Sequence, residues 1–184
     1  MKKALFTLFA IGSTAIAAAA PAYSDNFTGA GVEVGVGGSK TDVKNSRLNE
    51  KTKTDAAVRA SYLTQYGNSN WIGGGEVAVK PVHRKIGDTV AGDAKQRLGA
   101  SASFIQGYRV DPKVLAYGKV GYHYGKFKAP GDKVNADGVG YGAGVKYALT
   151  PKIEVGGEWE QTRLKKDDFK TKSNSYMGTV GYRF

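Results

Sequence analysis

The sequence predicts an all-β protein, an eight-stranded antiparallel up-and-down transmembrane β-barrel. Three observations carry the prediction. Eight segments alternate apolar and polar residues at a period of two, long and short connections between them alternate strictly, and the last segment is an aromatic strand ending at Phe184.

Ahead of these segments lies a targeting signal. Lys2 and Lys3 form a positive start, Ala4 to Ala20 an apolar stretch, and Ala20-Pro21-Ala22 a small-x-small cleavage site. The absence of a basic stop-transfer cluster argues against a retained membrane helix. Residues 1–22 are therefore expected to be removed, leaving 184 − 22 = 162 residues, 23–184, as one barrel domain. The sequence has no Cys, so no lipoprotein anchor, disulfide or thiolate metal site is expected. No later run approaches the ~20 apolar residues of a membrane helix.

The first segment, Phe27 to Gly37, sets Thr28, Ala30, Val32, Val34 and Val36 against glycines and Glu33. In the second, Ala56 to Tyr66, residues Ala56, Val58, Ala60, Tyr62 and Tyr66 alternate with Arg59, Ser61 and Gln65. The third opposes Trp71, Val77 and Val79 to Glu76 and Lys80, with Gly73-Gly74-Gly75 blurring the pattern. In the fourth, Leu98, Ala100, Ala102, Phe104 and Tyr108 oppose Arg97, Ser101 and Ser103. The fifth sets Val114, Ala116, Val120, Tyr122 and Tyr124 against Tyr117, Lys119 and His123. The sixth sets Val139, Tyr141, Ala143, Val145 and Tyr147 against four glycines and Lys146, and the seventh Ile153, Val155 and Trp159 against Glu154, Glu158 and Glu160. In the last, Tyr176, Gly178, Val180, Tyr182 and Phe184 share one face. Each segment has about the 9–11 residues with which a tilted strand crosses a bilayer. Leu63, Ile72, Ile105 and Leu115 break the alternation by pointing inward, and Gln161 and Arg163 by pointing outward near a rim.

Short turns are expected at Gly67–Asn70, Val110–Lys113 and Thr150-Pro151, and long loops at Gly38–Asp55, Pro81–Lys95, Lys126–Asp137 and Lys165–Lys172. Bacterial barrels keep short turns in the periplasm, so both termini are expected there and the four long loops outside. Aromatics at the strand ends fit an interfacial girdle: Tyr66, Trp71, Tyr108, Tyr147, Tyr182 and Phe184 at the short-turn side, Tyr124, Trp159 and Tyr176 at the other.

An eight-stranded barrel is just wide enough for side chains to fill it. The inward positions hold Glu33, Glu76, Glu154, Glu158 and Glu160 against Arg59, Lys80, Arg97, Lys119, Lys146 and Arg183, with His123 among them. Unpaired buried charges are costly, so these are expected to form a charge network that plugs the barrel. The inward glycines of the sixth segment leave room for long neighbouring side chains. Lys146 and Glu154 are expected to meet across the turn at Thr150-Pro151.

The formal charge is +11, or +11 − 2 = +9 without Lys2 and Lys3. Because the interior is nearly balanced, the excess belongs to the loops. Exported protein has little occasion to meet chromosomal DNA, so nucleic acid is not an expected partner. Phosphates of lipopolysaccharide are expected at Lys51, Lys53, Arg84, Lys85, Lys126, Lys128, Lys165 and Lys166, unless these are solvated loop charges.

Several stretches resemble the small outer-membrane barrels of the OmpX, OmpA-transmembrane-domain and opacity-protein-like group. Phe27-Thr-Gly-Ala-Gly-Val-Glu-Val-Gly35 is similar to the first strand of that group, Tyr117-Gly-Lys-Val-Gly-Tyr122 to the fifth, and Gly142-Ala-Gly-Val-Lys-Tyr-Ala-Leu-Thr-Pro151 to the sixth with its turn. Ile153-Glu-Val-Gly-Gly-Glu-Trp159 is similar to the seventh and Tyr182-Arg183-Phe184 to the end of the eighth. The resemblance implies a monomer in the bacterial outer membrane with a role in adhesion, host interaction or envelope integrity. It implies that Tyr182 and Phe184 are read by the barrel-assembly machinery, and that a host or cell-surface ligand meets the loops. A periplasmic peptidoglycan-binding domain, as in full-length OmpA, is not expected. The loops also look short beside those of the opacity adhesins.

Some outer-membrane barrels are hydrolases. Here only His83 and His123 could supply an imidazole base; His123 is expected to lack a neighbouring Ser and to belong to the charge network, and no pattern marks His83, in the second loop beside Arg84 with Asp88 and Thr89 nearby. Two isolated histidines do not make a metal site, and no helix follows the glycine runs to form a phosphate loop. No catalytic residue, cofactor or metal is expected. The reading is a structural or surface-interaction barrel, with a narrow porin second and a lipid A hydrolase third.

Overall fold

The computed structural model describes residues 26–43, 53–80, 84–89, 92–129, 132–166 and 169–184, with side chains for 26–40, 54–80, 99–125, 136–164 and 172–184. The signal segment, residues 1–22, lies outside the described residues, as does His83. Among the described residues nine antiparallel strands are present: β1 (Gly29–Val43), β2 (Lys53–Gln65), β3 (Trp71–Lys80), β4 (Arg84–Thr89), β5 (Gly92–Asp111), β6 (Val114–Ala129), β7 (Asp132–Ala148), β8 (Ile153–Lys166) and β9 (Phe169–Arg183). They close into a barrel of eight staves. Consecutive strands pair except β3 with β4, β1 pairs with β9, and β3 pairs with β5. The ninth strand, β4, pairs with the upper part of β5, above the stretch of β5 that pairs with β3, so β3 and β4 share one stave.

Closure follows from the solvent. Inside hydrocarbon an unpaired backbone amide costs several kcal/mol, so a transmembrane sheet has no tolerable edge. The two faces then divide as the alternation demands. Val34 is 55% exposed while its neighbour Glu33 is 7% exposed. The same contrast separates Val58 from Arg59, Val120 from Lys119 and Val145 from Lys146. The three glycines of β3 do not shift this register: Ile72, Glu76 and Ala78 are buried while Trp71, Val77 and Val79 are exposed.

The strands run further than the apolar pattern suggests, and the expected long loops shrink accordingly. Pairing of β1 with β9 continues to Val43↔Thr171, and that of β6 with β7 to Ala129↔Asp132. Residues 84–89 and 92–96 form a further hairpin inside the expected second loop. Hydropathy fails here for a physical reason. Above the membrane a ladder still satisfies its backbone groups, but its outward side chains no longer need to be apolar. A bulge between Gln96 and Leu98 interrupts the alternation at Arg97.

The short turns carry recognisable local chemistry. Gly67 takes φ +57°, a conformation open to glycine, and the Ser69 hydroxyl donates to the Tyr66 carbonyl at 2.6 Å. Asp111 accepts from the Lys113 amide at 2.9 Å, and Thr150 Oγ1 accepts from the amides of Lys152 and Ile153 at 3.2 and 3.0 Å.

Candidate functional site in the barrel interior

The interior has two layers. At the short-turn end Phe27, Leu63, Ile72, Ile105, Leu115, Tyr117 and Ala148 form one buried apolar cluster. Phe27 is not the first residue of a strand, as the alternation suggested. It stands in a turn at φ +74°, completely buried. That conformation costs a non-glycine residue about 1–3 kcal/mol, which burial of the ring, about 1.5–3 kcal/mol, offsets. The incoming chain is tied across the barrel mouth. Arg109 donates to the Asn26 carbonyl at 3.0 Å and to Gln65 Oε1 at 3.3 Å, and the Asn26 side chain donates to the Pro112 carbonyl at 2.8 Å.

Above this cork lies a chain of charges. Arg183 holds Glu154 through Nε at 2.9 Å and Nη2 at 3.0 Å. Lys146 bridges Glu154 at 3.5 Å and Glu33 at 2.6 Å, so Lys146 and Glu154 do meet across the β7–β8 turn. Arg59 then links Glu33 at 2.8 Å to Glu158 at 2.9 Å. Lys119 contacts Glu158 at 2.8 Å, Glu160 at 2.9 Å and Glu76 at 3.2 Å, and Lys80 closes on Glu160 at 2.9 Å. Tyr117 donates its hydroxyl to Glu158 at 2.8 Å, joining the apolar layer to the ionic one. Five carboxylates thus meet five cations among the described residues.

Many of these contacts join staves that are not neighbours. Arg59 of β2 reaches Glu158 of β8, Lys80 of β3 reaches Glu160 of β8, and Lys146 of β7 reaches Glu33 of β1. The bore of eight strands matches the combined reach of one long cation and one glutamate, so the pairs act as ties across the lumen. Such ties hold only as a set, since removing one partner leaves a buried charge uncompensated.

Glycines of β7 make the room. The Tyr117 ring lies so close to Gly144 that a Cβ there would stand 2.6 Å from Cζ, and His123 packs in the same way on Gly140. His123 is inward and buried, but it packs on the β7 backbone instead of forming an ion pair with the network. Arg97 falls on the bulge, and its side chain lies outside the described residues. Sequence reasoning missed the cork as a unit. Its signal was the four inward aliphatics Leu63, Ile72, Ile105 and Leu115, each close to a short turn.

On the outer wall Tyr66, Trp71, Tyr108, Tyr147, Tyr182 and Phe184 are exposed around the short-turn end, with Trp71 edge-on to Tyr108 and Tyr182 edge-on to Phe184, both at 5.1 Å. Tyr124 and Tyr176 are exposed toward the other end, where Trp159 packs edge-on to Tyr141 at 5.8 Å. The expected lipopolysaccharide contacts, Lys51, Lys53, Arg84, Lys85, Lys126, Lys128, Lys165 and Lys166, have side chains outside the described residues.

A closed ring of eight staves with a valine and aromatic exterior and an inward chain of paired charges defines an integral β-barrel of the bacterial outer membrane. The chain belongs to the outer membrane protein β-barrel domain family, which it matches over residues 6–184. Among solved structures it is similar to Ail, the attachment invasion locus protein of Yersinia pestis, in complex with the heparin analogue sucrose octasulfate. That match has 22% identity and TM-score 0.59, covering 84% of this chain and 97% of Ail. It is also similar to Neisserial surface protein A, at 17% identity and TM-score 0.61 over 84% of this chain and 97% of that one. A third similar structure is the outer membrane protein OprG from Pseudomonas aeruginosa, at 15% identity and TM-score 0.57 over 88% and 98%. No curated protein matches the chain in sequence.

Proposed function

We propose that this barrel is sealed to solutes and works from its outer surface, as a structural and surface-interaction protein of the outer membrane. The observation that carries the reading is the pair of side-chain layers inside the bore, an apolar cluster from Phe27 to Tyr117 and a chain of ion pairs from Arg183 to Lys80. A lumen occupied by paired, mutually bonded side chains leaves little for a solute to displace at low cost.

In this reading the signal segment is cleaved after Ala22, both termini face the periplasm, and the long hairpins project outside. The Lys and Arg residues of those hairpins then meet polyanions: the phosphates of lipopolysaccharide and an anionic ligand on a host or neighbouring cell. The structurally similar Ail has been solved with a heparin analogue, which is ligand chemistry of the same kind. The terminal Tyr182 and Phe184 serve as the signal for the assembly machinery, and the uninterrupted lipid-facing wall suits a monomer.

Planar-bilayer recording tests the seal. Purified, folded protein is expected to add no discrete conductance steps, and stable steps of porin-like size would overturn the reading in favour of a narrow pore. Removing hairpin residues 84–96 is expected to leave the barrel folded while lowering binding to cells or heparin-like polymers.

A further inference from the structure

Among the residues whose side chains are described, two cations of the expected long-loop segments stand on strands instead. Lys40 of β1 and Lys172 of β9 are exposed and outward. Lys172 lies directly opposite Arg163 of β8, which is also exposed and outward, and Lys40 lies opposite Asn174 one outward step below Lys172. Like charges directly opposed across a ladder are destabilising. Among the described residues none of the three is in an ion pair.

The Arg163 guanidinium is nonetheless held in place. It donates to Gln161 Oε1 at 3.3 Å and lies over the Tyr141 ring at 6.0 Å. Gln161 is itself fixed, accepting from the Tyr141 hydroxyl and donating to Asn174 Oδ1 at 2.8 Å. Most of the five guanidinium N–H donors remain available, and their planar fork suits a phosphate.

The height of this group selects its ligand. From Phe184 to Asn174 is ten residues, which at ~3.3 Å per residue and a tilt of ~40° climbs about 25 Å. That is about the height of the apolar band of an outer-membrane barrel. The row Tyr141, Gln161, Asn174 therefore marks the top of the hydrocarbon, and Arg163 and Lys172 stand at the level of lipid head groups.

We propose that Arg163, Lys172 and Lys40 form a ledge on the outer wall that binds the phosphate of a phosphorylated lipid. The inference rests on the orientation given under Proposed function and moves the principal lipid contact from the loop tips to the wall.

The test uses the whole folded chain in neutral detergent, with diphosphoryl lipid A, its dephosphorylated counterpart and inorganic phosphate as probes. Arg163→Gln with Lys172→Gln is compared with a loop variant, Lys85→Gln with Lys128→Gln. Lys40→Gln serves as a second wall variant, and a heat-dependent mobility shift confirms that each folds. The wall double variant is expected to weaken diphosphoryl lipid A binding about tenfold or more, at about one kcal/mol per cation near a charged lipid surface. The dephosphorylated lipid should not distinguish wall variant from wild type. Wild-type affinity in a wall double variant, with loss only in the loop variant, would overturn the ledge and leave the loop contacts standing. Absence of phosphate-dependent binding by the wild type would overturn both readings. Equal competition by millimolar inorganic phosphate would mark a free-anion site and overturn the lipid assignment.

Discussion

Replacing Glu154 by Gln keeps the shape of the side chain and removes its charge at the one place, among the described residues, where a guanidinium is bound bidentately. Arg183 and Glu154 are each 4% exposed, and Arg183 Nη1 otherwise reaches only the Ser61 hydroxyl and the Gly29 carbonyl, both at 3.2 Å. Breaking a buried ion pair from one side costs about 3–5 kcal/mol. The amide oxygen of Gln still accepts one bond, returning about 1 kcal/mol, so a net loss of about 2–4 kcal/mol is expected. Arg183→Gln should cost less, because Glu154 keeps Lys146. In the double variant neither charge is stranded, and the two losses should fall short of additivity by about 1–3 kcal/mol. The assay is equilibrium urea unfolding of protein refolded into lipid vesicles, followed by the fluorescence of Trp71 and Trp159. Refolding in vitro separates stability from any effect near the chain end on cellular assembly. A Glu154→Gln protein within about 0.5 kcal/mol of wild type, or a double variant that is strictly additive, would refute the claim that these charges hold only as a set.

The same unfolding assay reads five further variants. Leu115→Ala empties part of the cork, where the side chain is fully buried, and should cost about 2–5 kcal/mol. Gly144→Val drives a side chain into the Tyr117 ring and should cost at least as much as an overpacked core position, about 1–3 kcal/mol, while Gly157→Ala, with open space beside it, should be nearly neutral. Val34→Arg puts a charge on the lipid face near the middle of the band and should cost about 2–4 kcal/mol, whereas Lys40→Arg, above the band, should cost little.

The transmembrane part of the fold was legible because lipid imposes the strictest pattern available to a strand. Every outward residue between the girdles must be apolar, so Val32, Val34 and Val36 or Tyr141, Ala143 and Val145 reveal both strand and face. Above the membrane that demand ends, and strand pairing at residues 38–43, 84–96 and 132–137 left no hydropathy trace. Within the bore the identities of the charged residues could be read, since a charge at an inward position must find a partner. Apart from Lys146 with Glu154 across the turn, their partners could not. Alternation gives the face and height of Arg59 but not that it reaches across the lumen to Glu158, which depends on the bore and the stagger of the closed sheet. The cork escaped for a related reason. Phe27 lies in a turn, outside any period of two, and Leu63, Ile72, Ile105 and Leu115 read singly as exceptions when they are one layer.

The most direct test of the account uses the absence of native cysteine. Single Cys residues at 175 through 182 of β9 would be challenged, in folded protein in lipid vesicles, with a small water-soluble thiol reagent and with a membrane-soluble one. The account predicts a period of two. Positions 176, 178, 180 and 182 should react with the membrane-soluble reagent, and positions 175, 177, 179 and 181 with neither, because they face a filled bore. Reaction of the odd positions with the water-soluble reagent would show a hydrated lumen, and loss of the two-residue period would contradict the barrel wall itself.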